Sequence, residues 1–151
     1  SEMRTIEEGW IAGFIHCRDG SVREAEIGRL TDLKDSAEFV HFSGTVIYRN
    51  MLECNDAAGM VLNLGKVYGT SELRINGVSC GVKWYGRRIF GIEKYLRPGM
   101  NNIEVIVTTS MGNYMKSLTD NPVAQYWTNT GTKSQPLQSM GLTGPVSYYK
   151  I

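Results

Sequence analysis

Residues 73–107 read LRINGVSCGVKWYGRRIFGIEKYLRPGMNNIEVIV and contain the clearest local signals in this chain of 151 residues. Asn76 and Gly77 lie between runs in which apolar and polar residues alternate. This pair favours the type I′ turn of a β-hairpin, because both central positions of that turn need positive φ angles. Pro98 and Gly99 mark a second tight turn, in which proline presets one φ and glycine supplies the unusual one. The stretch therefore predicts antiparallel strands joined by tight turns.

The residues after the second turn have the period of a half-buried strand. Ile103, Val105 and Val107 alternate with Asn102, Glu104 and Thr108, and only Ile106 departs from the pattern. Because successive side chains of a strand point to opposite faces, these three would share one buried face. Seventeen glycines and eight tyrosines are typical of a turn-rich β-protein. Similar apolar segments predict further strands at 10–15, 39–52, 60–64 and 145–151.

Three segments, taken in order, resemble a known family. They are FSGTVIYR at 42–49, the stretch from LNLG at 62–65 to the valine-rich strand at 103–109, and GLTGPV at 141–146. Together they resemble the sugar-binding, galactose-binding-domain-like domain of family 2 glycoside hydrolases, and they are similar to the accessory β-sandwich of bacterial α-L-rhamnosidases. The resemblance implies an all-β fold, a jelly-roll β-sandwich of about eight strands. It also implies a single domain over residues 1–151.

Three regions lack a clear pattern. Residues 1–9 are polar and are predicted to be frayed. Residues 25–33 place Ile27, Leu30 and Leu33 at helical spacing, whereas the resembled family has an extended connection here. Residues 110–131 are rich in turn-forming residues and show no core period. A long irregular insertion in a compact domain is usually functional or mobile.

Charge and composition argue against several classes of function. The net charge is +1 and the densest basic cluster is only Arg87 with Arg88, so nothing favours nucleic acid or an anionic membrane. No apolar run approaches the roughly 20 residues of a transmembrane helix. Cys17, Cys54 and Cys80 cannot all pair, and their spacing fits no zinc motif. We expect buried free thiols. One disulfide together with one free thiol is the alternative that the sequence leaves open.

The sequence contains no recognisable catalytic motif. His16 and His41 have no Cys, Asp or Ser partner at a motif spacing, and there is no nucleophile elbow, phosphate-binding glycine loop or zinc-protease motif. Glycosidases need two carboxylates that flank the bond, and the carboxylates here are scattered without a marked pair. In the resembled enzymes the catalytic acids lie on a separate barrel domain. We therefore expect no catalytic residue and no side-chain metal site in this chain.

Two clusters have the side chains that recognise carbohydrate. Aromatic rings pack on the C–H faces of sugars, and Arg and Asn hydrogen-bond to their hydroxyls. Both clusters are predicted to lie in loops, where β-sandwich domains commonly place binding residues. The first cluster is Trp84, Tyr85, Arg87 and Arg88, and the second is Asn113, Tyr114, Tyr126 and Trp127.

Both clusters also have a structural interpretation. In the resembled family the tryptophan at the position of Trp84 can pack against a neighbouring domain or within the sandwich, and Tyr126 and Trp127 could cap the core. The sequence thus predicts a non-catalytic carbohydrate-binding or accessory module of a glycoside hydrolase. The alternative is a purely structural interdomain domain that braces a catalytic domain without binding a ligand.

The resemblance also carries expectations about partners. It implies carbohydrate or a catalytic glycosidase domain as the partner, neither nucleic acid nor membrane, and a secreted or periplasmic location. No cofactor is expected. Some galactose-binding-like modules hold a structural calcium through loop carbonyls, and the loop at Asn55 and Asp56 offers one carboxylate for such an ion.

Overall fold

The computed structural model describes residues 2–40, 42–109 and 139–151. These residues form twelve β-strands and two single 3-10 turns, Leu33–Asp35 and Glu93–Tyr95. Within them, no helix is long and apolar enough to cross a membrane. The strands are β1 Arg4–Ile6, β2 Trp10–His16, β3 Val22–Gly28, β4 Gly44–Cys54, β5 Met60–Asn63, β6 Lys66–Tyr68, β7 Thr70–Ile75, β8 Val78–Lys83, β9 Ile89–Gly91, β10 Gly99–Thr108, β11 Gly141–Gly144 and β12 Val146–Lys150.

The strands build two main sheets and a small third one. Six strands pair in the order β3-β2-β4-β10-β7-β8, four pair in the order β1-β12-β5-β9, and β11 pairs with β6. Every strand pairing is antiparallel. In the six-stranded sheet β3 and β8 are the two edge strands, and in the four-stranded sheet β9 is an edge.

The two main sheets enclose one hydrophobic core. Val46 and Tyr48 point inward from β4 on the same face and are fully buried. Leu62 and Phe90 of the four-stranded sheet belong to the same buried cluster. Removing such side chains from water stabilises the fold by roughly 25 cal/mol per Å² of apolar surface. The predicted all-β sandwich is therefore confirmed.

The turns and the alternating strand also agree with the sequence. Asn76 has a φ of 52° and Gly77 a φ of 81°, and together they join β7 to β8. Ile103, Val105 and Val107 are fully buried in β10. The left-handed backbone at both turn positions explains why Asn-Gly is found here, since few other residue pairs adopt it without strain.

The structure adds detail to the secondary structure expected from the sequence. The described residues contain twelve strands, and several of these have only three or four residues, which is too short to show a period. Residues 1–9 are not all frayed: β1 pairs with the free side of β12. The region 25–33, for which the sequence left two interpretations, is extended through Gly28 in β3, and Leu33 begins the 3-10 turn. The strand predicted from residue 39 begins at Gly44, because the amide of Val40 bonds to the carbonyl of Ser36 in a turn.

All three cysteines are free thiols, so the disulfide that the sequence left open does not form. Cys54 is buried, as expected, and Cys80 is partly buried on β8. Burial raises the pKa of the Cys80 thiol to about 11. Cys17 is exposed, which contradicts the expectation of buried thiols, because it follows β2 at the surface turn that leads to β3.

Candidate functional site

Residues 84–88 connect β8 of the six-stranded sheet to β9 of the four-stranded sheet. We call this segment the 84–88 loop. Trp84 is 71% exposed and Tyr85 is 86% exposed, and Arg87 is exposed beside them. Gly86 has a φ of 79°, a left-handed backbone that favours glycine and turns the chain back toward β9. The loop therefore presents two aromatic rings and one guanidinium to solvent.

Arg88 lies beneath this loop and is only 4% exposed. Its Nη1 donates to the carbonyl of Gly69 at 3.0 Å and to the hydroxyl of Ser71 at 2.6 Å. Ser71 is itself fully buried and donates to the carbonyl of Lys83. The guanidinium of Arg88 thus joins the end of β8 to the start of β7.

The other donors of Arg88 hold the loop itself. Nη2 donates to the carbonyl of Trp84 at 3.2 Å, and Nε donates to the carbonyl of Gly86 at 3.2 Å. A third bond from Nη1 reaches the carbonyl of Lys83 at 3.1 Å. Five acceptors around one planar guanidinium fix the path of the loop, because the donors of arginine have a rigid geometry. Burial lowers the pKa of Arg88.

The structure thus separates two neighbours that the sequence grouped together. Arg87 points its charge to solvent, whereas the guanidinium of Arg88 is occupied by the protein and acts as a positioning residue. Direct contact of Arg88 with a ligand stays a prediction. Trp84 does not pack inside the sandwich, so one of its two structural interpretations is removed. Its exposed ring is available to a ligand or to another domain.

Two further apolar side chains are exposed on β8, on opposite faces of the strand. Val78 is 54% exposed and pairs with the buried Ile75, whereas Val82 is 49% exposed, pairs with Glu72 and lies two residues before Trp84. The pairing of β8 with β7 shifts register between Leu73 and Arg74, which marks a bulge in this edge strand. The sequence did not single out either valine, because edge position is set by which strands pair and is invisible in a local pattern.

The second predicted cluster, Asn113, Tyr114, Tyr126 and Trp127, lies outside the described residues. The described residue before it, Thr109, bonds through its amide to the carbonyl of Gly44 at 2.9 Å. Thr108 pairs with Thr70 on β7, and the next residue of β7, Ser71, pairs with Lys83 on β8. Since neighbouring strands are about 4.8 Å apart, Thr109 lies about 10 Å from the end of β8.

The described residues resume at Ser139, and the amides of Met140 and Leu142 are held by specific hydrogen bonds. Asp32 accepts a hydrogen bond from the amide of Met140 at 3.0 Å, and the amide of Leu142 donates to the hydroxyl of Tyr48 at 3.2 Å. Burial acts to raise the pKa of Asp32, but bonds from the Met140 amide, the Ser139 side chain and the Lys34 amide outweigh it and lower the pKa. Burial raises the pKa of Tyr48.

A cleft of about 550 Å³ lies away from the 84–88 loop, and its lining includes Glu53, Asp56 and Lys150. A glycosidase acid needs a raised pKa so that it holds its proton. The pKa of Asp56 is instead lowered, by its bond to Lys150 and by the amide of Ala58. The pKa values of Asp19 and Asp32 are lowered as well. These carboxyl groups suit structural contacts better than general-acid catalysis.

The loop at Asn55 and Asp56 does not fit the calcium that the resemblance left open. The Nζ of Lys150 lies 2.9 Å from Oδ2 of Asp56, where a bound cation would compete with the ammonium. Oδ1 accepts the amide of Ala58. Across the three described ranges, no group of three or more His, Cys, Asp or Glu side chains could hold a metal ion. A calcium site made from backbone carbonyls elsewhere stays a prediction.

No protein-family profile matches the chain, and no curated protein sequence matches it either. Solved structures do match. The chain is similar to rhamnosidase from Novosphingobium sp. PP1Y, with a TM-score of 0.76 and 23% identity over 98% of this chain and 15% of that one. It is also similar to a GH2 beta-galacturonidase from Eisenbergiella tayi, with a TM-score of 0.67 and 18% identity over 99% of this chain and 24% of that one.

A third similar structure is the beta-D-glucuronidase of Dictyoglomus thermophilum, with a TM-score of 0.53 and 19% identity over 71% of this chain and 19% of that one. The chain thus spans between 15% and 24% of the length of these three enzymes. At these identities the likeness establishes the fold. The resemblance seen in the sequence is confirmed at that level: the chain has a β-sandwich fold that also occurs as part of glycoside hydrolases.

Proposed function

We propose that this chain is a non-catalytic accessory module of a glycoside hydrolase that contacts carbohydrate through the 84–88 loop. The observation that carries the proposal is the buried guanidinium of Arg88 beneath the exposed rings of Trp84 and Tyr85. Large exposed aromatic side chains are unfavourable in water unless a partner covers them. A loop already held by five hydrogen bonds loses little conformational entropy on binding, which favours affinity.

The proposed roles follow from the chemistry of the side chains. Trp84 and Tyr85 pack against the C–H face of a sugar ring, and the Arg87 guanidinium donates to its hydroxyl or acidic oxygens. Asn113, Tyr114, Tyr126 and Trp127 are proposed as a second contact region. This is supported by the position of Thr109, where the chain leaves the described structure about 10 Å from the end of β8. A secreted or periplasmic location is proposed from the same family context.

A second candidate function is docking onto a catalytic domain without binding a sugar. Val82 favours it, because this exposed apolar side chain lies two residues before Trp84 at the end of the edge strand β8. A single sugar ring that stacks on Trp84 would leave Val82 uncovered, whereas a protein surface could cover both side chains.

The test is a glycan array with the purified chain, with and without a calcium chelator, followed by calorimetry on any hit. We expect Trp84→Ala to weaken binding by about 1–3 kcal/mol, the usual loss for a well-packed aromatic anchor. Met100→Ala is the control, because Met100 is an exposed apolar residue elsewhere in the sandwich. A folded protein that binds no glycan would contradict the proposal and favour docking. Unchanged binding by Trp84→Ala would exclude this loop as the binding surface.

A further inference from the structure

The positive charges of the described structure are unevenly paired. On most of the surface, cations lie within 4 Å of a carboxylate: Arg49 contacts Glu104, Arg29 contacts Glu8 and Lys150 contacts Asp56. Residues 83–97 differ, because they contain five cations and one carboxylate, Glu93. In the part of the chain that the structure describes, those five cations form no ion pair. They are Lys83, Arg87, Arg88, Lys94 and Arg97.

The positive charge of Arg88 contributes to the electrostatic potential at the 84–88 loop. The residue is 4% exposed, and the five hydrogen-bond acceptors of its guanidinium are neutral carbonyl and hydroxyl oxygens. These bonds solvate the charge without neutralising it. A buried charge is screened less than one in water, so its field extends to the surface directly above, which is the 84–88 loop.

Lys83, the last residue of β8, strengthens the same field. It lies over the ring of Phe90, with Nζ 5.4 Å from the centroid. Such a contact holds an ammonium in place but leaves its full charge. Lys94 and Arg97 lie at the other end of the β7–β8 hairpin, where Asn76 donates to the carbonyl of Tyr95, so the charge at the loop comes from Lys83, Arg87 and Arg88. The surface therefore combines stacking rings with unneutralised cations.

From this combination we infer that the 84–88 loop selects an anionic glycan, one that carries a carboxylate or a sulfate ester next to the ring that stacks on Trp84. The Arg87 guanidinium forms the direct contact, because its paired N–H donors match the oxygens of either group. Arg88 acts from below as a positioning residue. This inference rests on the proposed function, and it adds the charge class of the ligand.

The test compares matched probes by calorimetry with the purified chain. The first pair is a galacturonan oligosaccharide and its methyl ester, and the second is a sulfated galactan oligosaccharide and its desulfated form. We expect the acidic member of at least one pair to bind about tenfold more tightly, as for hydrogen bonds to a charged group. Raising the salt from about 20 to about 300 mM should remove most of that preference.

Arg87→Gln should abolish the preference for the acidic probe, so that the two members of the pair bind with equal affinity, because the loss of the cation weakens the acidic probe more than the neutral one. Arg18→Gln is the matched control, because Arg18 is also exposed and forms no ion pair in the described structure but lies in the turn between β2 and β3. It should leave the preference intact. The pair that shows the preference identifies the acidic group as carboxylate or sulfate.

The outcomes separate this inference from the proposed function. If each neutral probe binds as tightly as its acidic partner and Trp84→Ala still weakens binding, the loop binds carbohydrate but the inference about charge is overturned. A preference that Arg18→Gln removes as completely as Arg87→Gln would also overturn it, because net charge would then explain the effect. If no probe binds, or if Trp84→Ala binds all probes normally, the proposed function falls together with the inference.

Discussion

The two edge strands of the six-stranded sheet, β3 and β8, differ in the polarity of the side chains that they expose. Strand β3 exposes Val22 at its start but is otherwise largely polar, with Arg23 paired to Glu38 and with Glu24 lying 3.6 Å from Arg49. Strand β8 exposes Val78 and Val82 and leads directly into the exposed rings of the 84–88 loop. Unpaired strand edges attract other strands, and charged side chains are a common protection against this.

The difference favours contact on one side of the sandwich. The charges on β3 disfavour association at that edge, whereas β8 has a bulge but few charges to keep a partner away. Lys83 is the only charged residue of β8, and it turns toward Phe90. We therefore expect ligand or partner contacts on the β8 side of the sandwich and solvent on the β3 side.

The segments that follow β8 and β3 are each held by hydrogen bonds to one charged side chain, and the two side chains have opposite charge. After β8, the Arg88 cation donates to carbonyls of the 84–88 loop. After β3, the Asp32 anion accepts the amides of Met140 and Lys34. The hydrogen bonds of Arg88 persist over the pH range in which proteins fold, because arginine stays protonated. Those of Asp32 are lost in acid, because its carboxylate becomes protonated.

The largest expected effect on stability comes from removing the Arg88 guanidinium, which holds the segment after β8. Arg88→Ala leaves the Gly69 carbonyl and the Ser71 hydroxyl without the donor that Arg88 supplies in a buried site, and the Lys83 carbonyl keeps only the bond from Ser71. We expect it to lower the free energy of unfolding by about 3 kcal/mol, measured by urea denaturation. Arg87→Ala is the matched control and should change stability by less than about 0.5 kcal/mol, because its side chain is exposed. Equal effects of the two substitutions would contradict the different roles assigned here.

A smaller, pH-dependent effect is expected on the β3 side. Asp32→Ala removes the acceptor for Met140 and Lys34 and should cost about 2 kcal/mol at pH 7. The folded pKa of Asp32 is lowered from its ordinary 3.8, so its contribution is fully present above pH 3.8 and is lost as the pH falls through the folded value. Urea denaturation from pH 7 to pH 3 should therefore show the two proteins converging in acid. A difference that stays constant with pH would show that ionisation of Asp32 does not matter.

The smallest effect on stability should come from exchanging a charged and an apolar side chain between the two edge strands. Glu26 is exposed on β3, and Glu26→Val should change stability by less than about 0.5 kcal/mol while increasing self-association. Val82→Glu on β8 should have a similarly small effect on stability and should reduce association. Sedimentation velocity over a range of concentrations measures both. If neither substitution changes association, the charges on β3 are not protecting that edge.

Much of the fold could be predicted from the sequence, because its signals are local. The left-handed turn at Asn76 and Gly77 needs only the two residues themselves. The buried face of Ile103, Val105 and Val107 follows from the alternation of a strand. Short strands such as β1 could not be predicted, because Arg4–Ile6 has no apolar period and is ordered only by pairing with β12.

The candidate site shows the same division. Aromatic and basic residues in a turn between two strands were enough to single out residues 84–88. The opposite roles of Arg87 and Arg88 were not predictable, because they depend on Ser71 and Gly69, which are distant in sequence and meet Arg88 only in the folded protein. The exposed valines of β8 were missed for a related reason, since their surroundings depend on the absence of a further paired strand.

The amino-acid order alone determined the class of fold, the position of the turns and which residues were candidates for contact with a sugar. These features depend on backbone preferences and on the period of side chains along one strand, which operate over a few residues. Only the tertiary structure decided which strand became an edge, which arginine was buried and which aromatic rings stayed in solvent. Those outcomes depend on the pairing of distant strands, and no short-range pattern encodes that pairing.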